Sequence, residues 1–573
     1  VTIPEPTRAA RLLATYGSPL YVYDLDRVRA ALADLRAALP QGAHVLYSLK
    51  ANPHIDLVRE LLAGGCRAEL SSTGELNTAL AAGADPATCF YTGPGKTAEE
   101  LRTAITAGVR TFSTESLVDL RRVARVARES GREVDCVLRV NGAEAPGSAG
   151  MRMTGDSSQF GIDAAALAES GEELRGADLK GVRLVGFHFF PLTNAADEAS
   201  LIAEMTASIR TAATLAGQLA LDVSVLDLGG GFGAPFAQEG ERPRYPGLAK
   251  ALTAELDRHF PAWADGATEV LFESGRHLVG DSGTLLCTVS DVKDSRDTRF
   301  AVLDTGINHL GGLSGIGRLL PLSAVPLAIP ADSPDGTGAA GGDPEGAPGG
   351  TDTPGPSRTR LVGPLCTPAD TLGRGSVELP DLVVGRQLAI PNVGAYGATA
   401  SLLGFLSRPA AAEVVVDGLY GADEPRVVSA TRLALVREPV PARSAEPAGG
   451  TDRPDHGLSE ENEENSEENT VGERTLTGTP AEETGDKPAE KTGDEPWDAG
   501  YVTVLRSVLS RLGTDVGPET SLRAAGLDSL ALVELLVRLE ETYAVTIPDD
   551  DLSPESFATA GSLWTVVEKV RAG

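Results

Sequence analysis

The sequence predicts an α/β protein. A (β/α)8 TIM-type barrel is expected over residues 27–280, and a β-sandwich or β-barrel domain over residues 1–26 and 281–440. A small four-helix domain is expected at 498–573. Three observations carry this. Residues 27–280 alternate short strand-like runs with helix-like runs, and eight strands spaced this way suit a closed barrel better than an open sheet. From 281 onward the strands follow one another without helices. Beyond 497, apolar residues recur at helical spacing. At 573 residues the chain is too long for one core, so two or three domains are expected.

Taken in order, the early strand "PLYVYD" reads as part of the β domain. "HVLYSLK" opens the barrel, followed by the helix "IDLVRELLAGG", the strand "CRAELS" and the helix "TGELNTALAAG". "CFYTG" leads to "TAEELRTAITAG", and "RTFST" to "ESLVDLRRVARVARES" and "DCVLRV". "LVGFHFF", "VSVLDLGGGFG" and "EVLFES" complete the set. The β domain then reads through "GTLLCTVSDVKDS", "RFAVLDTG", "QLAIPNVG" and "EVVVDG". Residues 331–360 are rich in Gly, Pro and Asp and read as a disordered insertion. Residues 441–497 are acidic and read as a disordered linker of about 55 residues, reaching roughly 40 Å.

The net charge of −31 divides into −14 for residues 1–440, −11 for 441–496 and −6 for 497–573. That acidity argues against nucleic acid and against anionic membranes as partners. No run approaches the roughly 18 apolar residues of a membrane helix, and no signal-peptide succession is seen. Five scattered cysteines without C-x-x-C spacing indicate neither a disulfide framework nor a zinc site. His44, His54, His277 and His309 match no metal spacing, so no metal is expected; a cytoplasmic location is.

Chemistry is signalled by Lys50, at the end of a buried strand, where a barrel presents its active site. A lysine there ordinarily reaches solvent, so the case rests on what accompanies it. "LDLGGGFG" leaves backbone N–H groups open to a phosphate. "ESGR" supplies Glu273 and Arg276 at another strand end, "GPLCTPAD" supplies Cys366 and Asp370, and "VGAYG" sets Tyr396 between glycines. A lysine, a glycine cradle, an acid for a pyridinium nitrogen and an arginine near a phosphate are what pyridoxal 5′-phosphate needs.

The ordered set "YSLKANP", "SQFGID", "LDLGGGFG", "ESGRHLVG", "GPLCTPAD" and "VGAYG" resembles the fold-type III pyridoxal-phosphate decarboxylases of ornithine and diaminopimelate, over about residues 10–435. The resemblance implies that Lys50 binds the cofactor's aldehyde. It also implies that Gly230 and Gly231 hold the phosphate with Arg276 and Tyr396, that Gly275 binds the cofactor too, and that Glu273 holds the ring nitrogen's proton. Glu69 and Arg139 would lie near the cofactor, and the His188 region would cover one ring face. Cys366 would donate a proton after CO2 leaves, with Thr367 and Asp370 on the substrate side. Because that loop comes from the second subunit in this family, a homodimer with shared active sites is implied.

Two departures from the pattern carry information. Where the family reads H-x-H-x-G-S, this chain reads "HFFPLT", which puts Phe190 in the stacking place, Leu192 in the glycine place and Thr193 in the serine place. Where decarboxylases of basic amino acids carry an acid after the cysteine, this chain has Thr367. A substrate with a distal ammonium would lose its partner there, at a cost of about 1–3 kcal/mol or more.

The C-terminal segment, with "GLDSL" before an amphipathic helix, resembles an acyl or peptidyl carrier protein, which implies 4′-phosphopantetheine on Ser529. An N-cap serine is the plainer reading of that residue alone. Pyridoxal chemistry needs a free α-amine, and decarboxylation a free α-carboxylate. A carrier-bound substrate would therefore be tethered through a side-chain acid, as in a glutamyl or aspartyl thioester, and loss of CO2 would leave an ω-amino-acyl thioester for natural-product biosynthesis. A loading ligase and a phosphopantetheinyl transferase are the partners this implies. Two alternatives stand beside it: a free amino acid decarboxylase whose carrier is used downstream, and a non-catalytic pyridoxal-phosphate delivery protein. Which amino acid is loaded is left open.

Overall fold

The structure, a computed structural model, describes residues 4–142, 151–152, 159–314, 322–330, 358–437 and 497–572, except for single positions and short stretches within these spans. Residues Val1–Leu435 with Ala499–Gly573 form one unit, and Val436–Asp498 a second. The segments expected to be disordered, 331–360 and 441–497, fall outside the described residues apart from 358–360 and 497.

Strand β1 (Leu20–Asp24) belongs to the β domain, and helix Leu25–Ala38 leads from it into the barrel. β2 (His44–Ser48), β3 (Arg67–Leu70), β4 (Phe90–Tyr91), β5 (Thr111–Thr114) and β6 (Val134–Asn141) are the first five barrel strands. The short β7 (Met151–Arg152) and β8 (Ile162–Asp163) lie off the barrel path. β9 (Val182–Phe189) resumes the barrel, the two-residue β10 (Leu192–Thr193) pairs with β7, and β11 (Val225–Asp227) and β12 (Glu269–Ser274) complete it. Every neighbour pair is parallel, and β12 pairs with β2 as β5 pairs with β6, so eight strands close on themselves.

Local chemistry explains the elements between the strands. Ser72, Ser116 and Asp197 cap helices Thr73–Ala82, Leu117–Glu129 and Glu198–Leu219 by accepting a backbone N–H. Thr97 and Glu100 form a reciprocal capping box on helix Ala98–Ala107. The barrel strands are buried along nearly their whole length, which is why they read as continuous apolar runs.

The β domain is a mixed nine-stranded sheet. To β1 it adds β13 (Gly283–Ser295), β14 (Thr298–Leu303), β15 (Leu327–Ala328), β16 (Arg358–Val362), β17 (Val377–Glu378), β18 (Gln387–Ile390), β19 (Ala412–Asp417) and β20 (Arg426–Arg432). β1 sits between β13, antiparallel, and β19, parallel. Helix Pro6–Tyr16 buries Ala9, Leu12 and Leu13 against Leu20, Val22 and Val414.

Of the four helices expected in the C-terminal domain, three lie among the described residues: Ala499–Val508, Ser529–Tyr543 and Ala560–Ala572. Leu505, Leu535, Leu536, Leu539 and Leu563 are fully buried. Tyr501 donates its hydroxyl to Ala560 O at 2.7 Å and packs 4.8 Å from the Trp564 ring.

Candidate active site

Lys50 follows β2 on the 3-10 turn Leu49–Ala51, at the carboxyl end of a barrel strand. The turn is pinned from both sides. Tyr47 donates its hydroxyl to Asn52 O at 2.6 Å, Asn52 Nδ2 donates to Gly394 O at 2.8 Å, and the Tyr396 N–H donates to Ala51 O at 2.8 Å. Lys50 Nζ lies 3.5 Å from Glu69 Oε2, 3.9 Å from Glu273 Oε2 and 5.1 Å over the Phe190 ring. Protein packs closely round it, yet its side chain keeps 42% exposure to an open cleft. Desolvation works against the ammonium, but Glu69, Glu273 and Tyr396 outweigh it and hold Lys50 above the ordinary lysine range.

Nine of the expected residues line that cleft: Lys50, Phe190, Thr193, Gly230, Gly231, Glu273, Gly275, Arg276 and Tyr396. Ser48, Asn194 and Ser274 line it too, and the sequence had not marked them. Backbone conformation builds one wall. Gly231 has φ +99°, and a Cβ there would stand 2.6 Å from Leu192 Cδ1; one on Gly230 would stand 2.6 Å from Glu273 O. Leu192, in the place the family gives to glycine, therefore packs into the space that Gly231 leaves. Tyr396 holds a left-handed backbone at φ +56°, with the Arg276 guanidinium 4.7 Å over its ring.

The polar groups fit a pyridoxal phosphate. The N–H groups of Gly230 and Gly231 make no hydrogen bond among the described residues, and the buried Ser274 hydroxyl makes none either. These are donors facing a cleft beside an arginine, as a phosphate requires. Glu69 Oε1 accepts from the Thr92 hydroxyl, while its Oε2 makes no hydrogen bond among the described residues and faces Lys50.

Behind the cleft lies a buried polar layer. Arg139 donates to Glu115 Oε1 at 2.8 Å, Glu115 Oε2 accepts the Gly161 N–H at 2.8 Å, and the guanidinium lies over the rings of Phe160 and Phe190 at 4.8 and 6.0 Å. Within the region expected to cover a ring face, His188 itself does not line the cleft. It is fully buried, with Nδ1 2.7 Å from Ser113 Oγ and Nε2 3.1 Å from Glu273 Oε1. Phe190, two residues on, occupies the cleft side instead. Burial, and then the Arg139 charge, push His188 well below its ordinary pKa, so it is neutral.

Cys366 is exposed on the loop after β16 and is not among the residues lining this chain's cleft. Asp370, expected on the substrate side, turns inward: its carboxyl accepts the N–H groups of Ile307 at 2.8 Å and Leu365 at 2.7 Å. Its geometry gives it the task of shaping the cysteine loop. Thr367 Oγ1 accepts the Ala369 N–H at 3.3 Å within the same turn. Ser529 is the first residue of its helix; its side chain lies outside the described atoms.

A closed parallel barrel with a strand-end lysine, an apposed carboxylate and a glycine wall, joined to a β domain, defines a pyridoxal-phosphate-dependent enzyme of the barrel type. Comparison with known proteins makes the class specific. Residues 25–280 match the pyridoxal-binding domain of the pyridoxal-dependent decarboxylases, and residues 502–565 match the phosphopantetheine attachment site. Diaminopimelate decarboxylase of Pseudomonas aeruginosa is 30% identical over 419 residues, 72% of this chain and 91% of that protein. The L-glutamyl-[BtrI acyl-carrier protein] decarboxylase of Niallia circulans is 26% identical over 408 residues, 70% of this chain and 90% of that one. Among solved structures, AQ1208 from Aquifex aeolicus matches with a TM-score of 0.58 and 26% identity, over 73% of this chain and 90% of that one. Diaminopimelate decarboxylase from Helicobacter pylori shares the fold, with a TM-score of 0.60 at 24% identity over 74% and 96% of the two chains. The chain belongs to the pyridoxal-dependent decarboxylases, fused to a phosphopantetheine-bearing carrier domain. Its cofactors are pyridoxal 5′-phosphate and 4′-phosphopantetheine.

Proposed function

We propose that the enzyme decarboxylates an acidic amino acid held through its side-chain carboxyl as a thioester on a carrier protein, releasing an ω-amino-acyl thioester. One observation carries this reading: a decarboxylase barrel and a phosphopantetheine attachment domain occupy one chain. The relative from Niallia circulans, named for a glutamyl group on an acyl-carrier protein, supports it. So does Thr367, a neutral side chain suited to a pantetheine arm and unsuited to a distal ammonium.

When bound, the cofactor supplies an electron sink for the bond broken at Cα. The protein supplies the rest. Lys50 would hold the cofactor through its aldehyde. Gly230, Gly231, Ser274 and Arg276 bind the phosphate, and Phe190 presents an aromatic face. Glu273 keeps a proton on the ring nitrogen. Cys366, exposed and outside its own chain's cleft, serves the cleft of a second copy as proton donor, which makes the working enzyme a homodimer. A phosphopantetheinyl transferase must modify Ser529, and a ligase must load the acid.

Intact-mass measurement of the phosphopantetheinylated protein, loaded through the side chain with glutamate or aspartate, is expected to show a loss of about 44 Da, the mass of CO2. No loss with any such load rejects the reading. The resemblance to diaminopimelate decarboxylases favours one other reading, turnover of a free amino acid with the carrier used downstream. Rapid CO2 release from unloaded diaminopimelate, lysine or ornithine would establish that reading instead.

A further inference from the structure

The proposed chemistry leaves one buried acid beside the cofactor pocket without a task. Asp227 ends β11, and the barrel register sets it level with His188 of β9. It is fully buried. Oδ1 accepts the Gly229 N–H at 2.8 Å. Oδ2, Glu273 Oε1 and His188 Nε2 make no hydrogen bond among the described residues, and one polar atom from each of the three side chains lies within 4.8 Å of the others. The charged groups around the set are already engaged: Lys50 faces Glu69 and Glu273, and Arg139 pairs with Glu115. No cation pairs with Asp227 among the described residues.

Two carboxyls this close and this dry do not ionise together. Burial, and then the Glu273 charge, push Asp227 well above the ordinary carboxyl range, against the Gly229 hydrogen bond. Burial also raises Glu273, but the Lys50 and Arg139 charges and the adjacent Asp227 oppose the rise. With Lys50 Nζ 3.9 Å from Glu273 and no cation paired with Asp227 among the described residues, a proton shared by the two carboxyls is better held by the aspartate.

We propose that Asp227 is a positioning residue that acts as a neutral acid, directing its Oδ2–H to Glu273 so that Glu273 stays the carboxylate facing the cofactor's ring nitrogen. His188 completes the arrangement. Its Nδ1 lies 2.7 Å from the Ser113 hydroxyl and its Nε2 3.1 Å from Glu273 Oε1; in the tautomer in which that hydroxyl donates to Nδ1, the imidazole proton sits on Nε2, on the Glu273 side. Two uncharged donors thus orient the glutamate without cancelling its charge. The inference requires the cofactor alone and is independent of which substrate is loaded.

Full-length protein carrying Asp227→Asn or Asp227→Val tests it through two readouts separate from turnover. These are the dissociation constant for pyridoxal 5′-phosphate and the pH midpoint of the bound cofactor's visible absorption band. Asparagine reproduces the neutral acid, with its oxygen toward Gly229 and its N–H toward Glu273. It is expected to hold the dissociation constant within about threefold and leave the midpoint in place. Valine donates nothing, and is expected to weaken binding about tenfold or more and move the midpoint. An asparagine variant as damaged as the valine variant overturns the proposal, and so does a valine variant with unchanged affinity and spectrum. If circular dichroism shows the valine variant unfolded, asparagine alone decides: an unmoved midpoint supports the neutral acid and a moved one overturns it.

Discussion

At the scale of single residues, the charge on Lys50 governs how the enzyme acquires its cofactor. Only the neutral amine attacks an aldehyde, and the neighbouring carboxylates hold the lysine above its ordinary range. Its neutral fraction is therefore small at neutral pH and grows about tenfold per pH unit. Capture of pyridoxal 5′-phosphate by cofactor-free protein, followed by visible absorption, is expected to climb steadily from pH 7 to 9. Glu69→Gln, which removes the nearer carboxylate, should quicken capture at neutral pH several-fold, and Lys50→Ala should abolish both the band and CO2 release. A plateau near neutrality would show that the carboxylates do not set this amine. The residues that motifs revealed are those whose backbone is constrained, such as Gly231 and Tyr396, or whose strand end is fixed, such as Lys50 and Glu273. His188, Asp227 and Asp370 were less legible. Which way their side chains point depends on register and on packing between distant loops, and neither is written in a local pattern.

At the scale of elements, helix Thr73–Ala82 carries a titration of its own. Glu75 in its first turn accepts the Ser71 N–H at 2.6 Å, while Ser72 caps the helix by accepting the Glu75 N–H at 3.2 Å. Burial raises the Glu75 carboxyl to about 7, against the Ser71 hydrogen bond that lowers it. With a folded value above the unfolded one, the native state binds the proton more tightly, so stability is gained as pH falls through about 7 and is fully present below the ordinary carboxyl value. Above 7 the wild type bears the whole cost of a buried charge. Glu75→Gln keeps an oxygen for Ser71 and removes that cost. Its melting temperature should exceed the wild type's by about 2 °C or more at pH 8, with the gap closing toward pH 5. A gap that does not change with pH would remove Glu75 from the account. Regular elements were largely legible, because caps and apolar runs are local. The ribbon of β7 with β10 was not, since two-residue strands leave no period to read. Nor were the parallel pairings of β1 with β19 and β14 with β16, which join distant segments.

At the scale of the whole molecule, the cleft and the cysteine proposed as its proton donor part company. Lys50 and Glu273 stand at the mouth of the barrel, whereas Cys366 is exposed on a β-domain loop held by Asp370. If a second copy brings Cys366 to each cleft, every active site is built from two chains and the two defects complement. Lys50→Ala protein and Cys366→Ala protein are each expected to be nearly inactive. Mixed under conditions that allow subunit exchange, they should recover about a quarter of the wild-type rate, because about half the dimers are hybrids and each hybrid has one intact site of two. The count also separates the alternatives. A cysteine serving its own chain gives hybrids with no intact site beyond those of the parents, and mixing recovers nothing. A cysteine uninvolved in proton delivery leaves the Cys366→Ala parent active before mixing. Complementation near a quarter, appearing only after exchange, therefore requires both the dimer and the crossing of this loop into the neighbouring barrel.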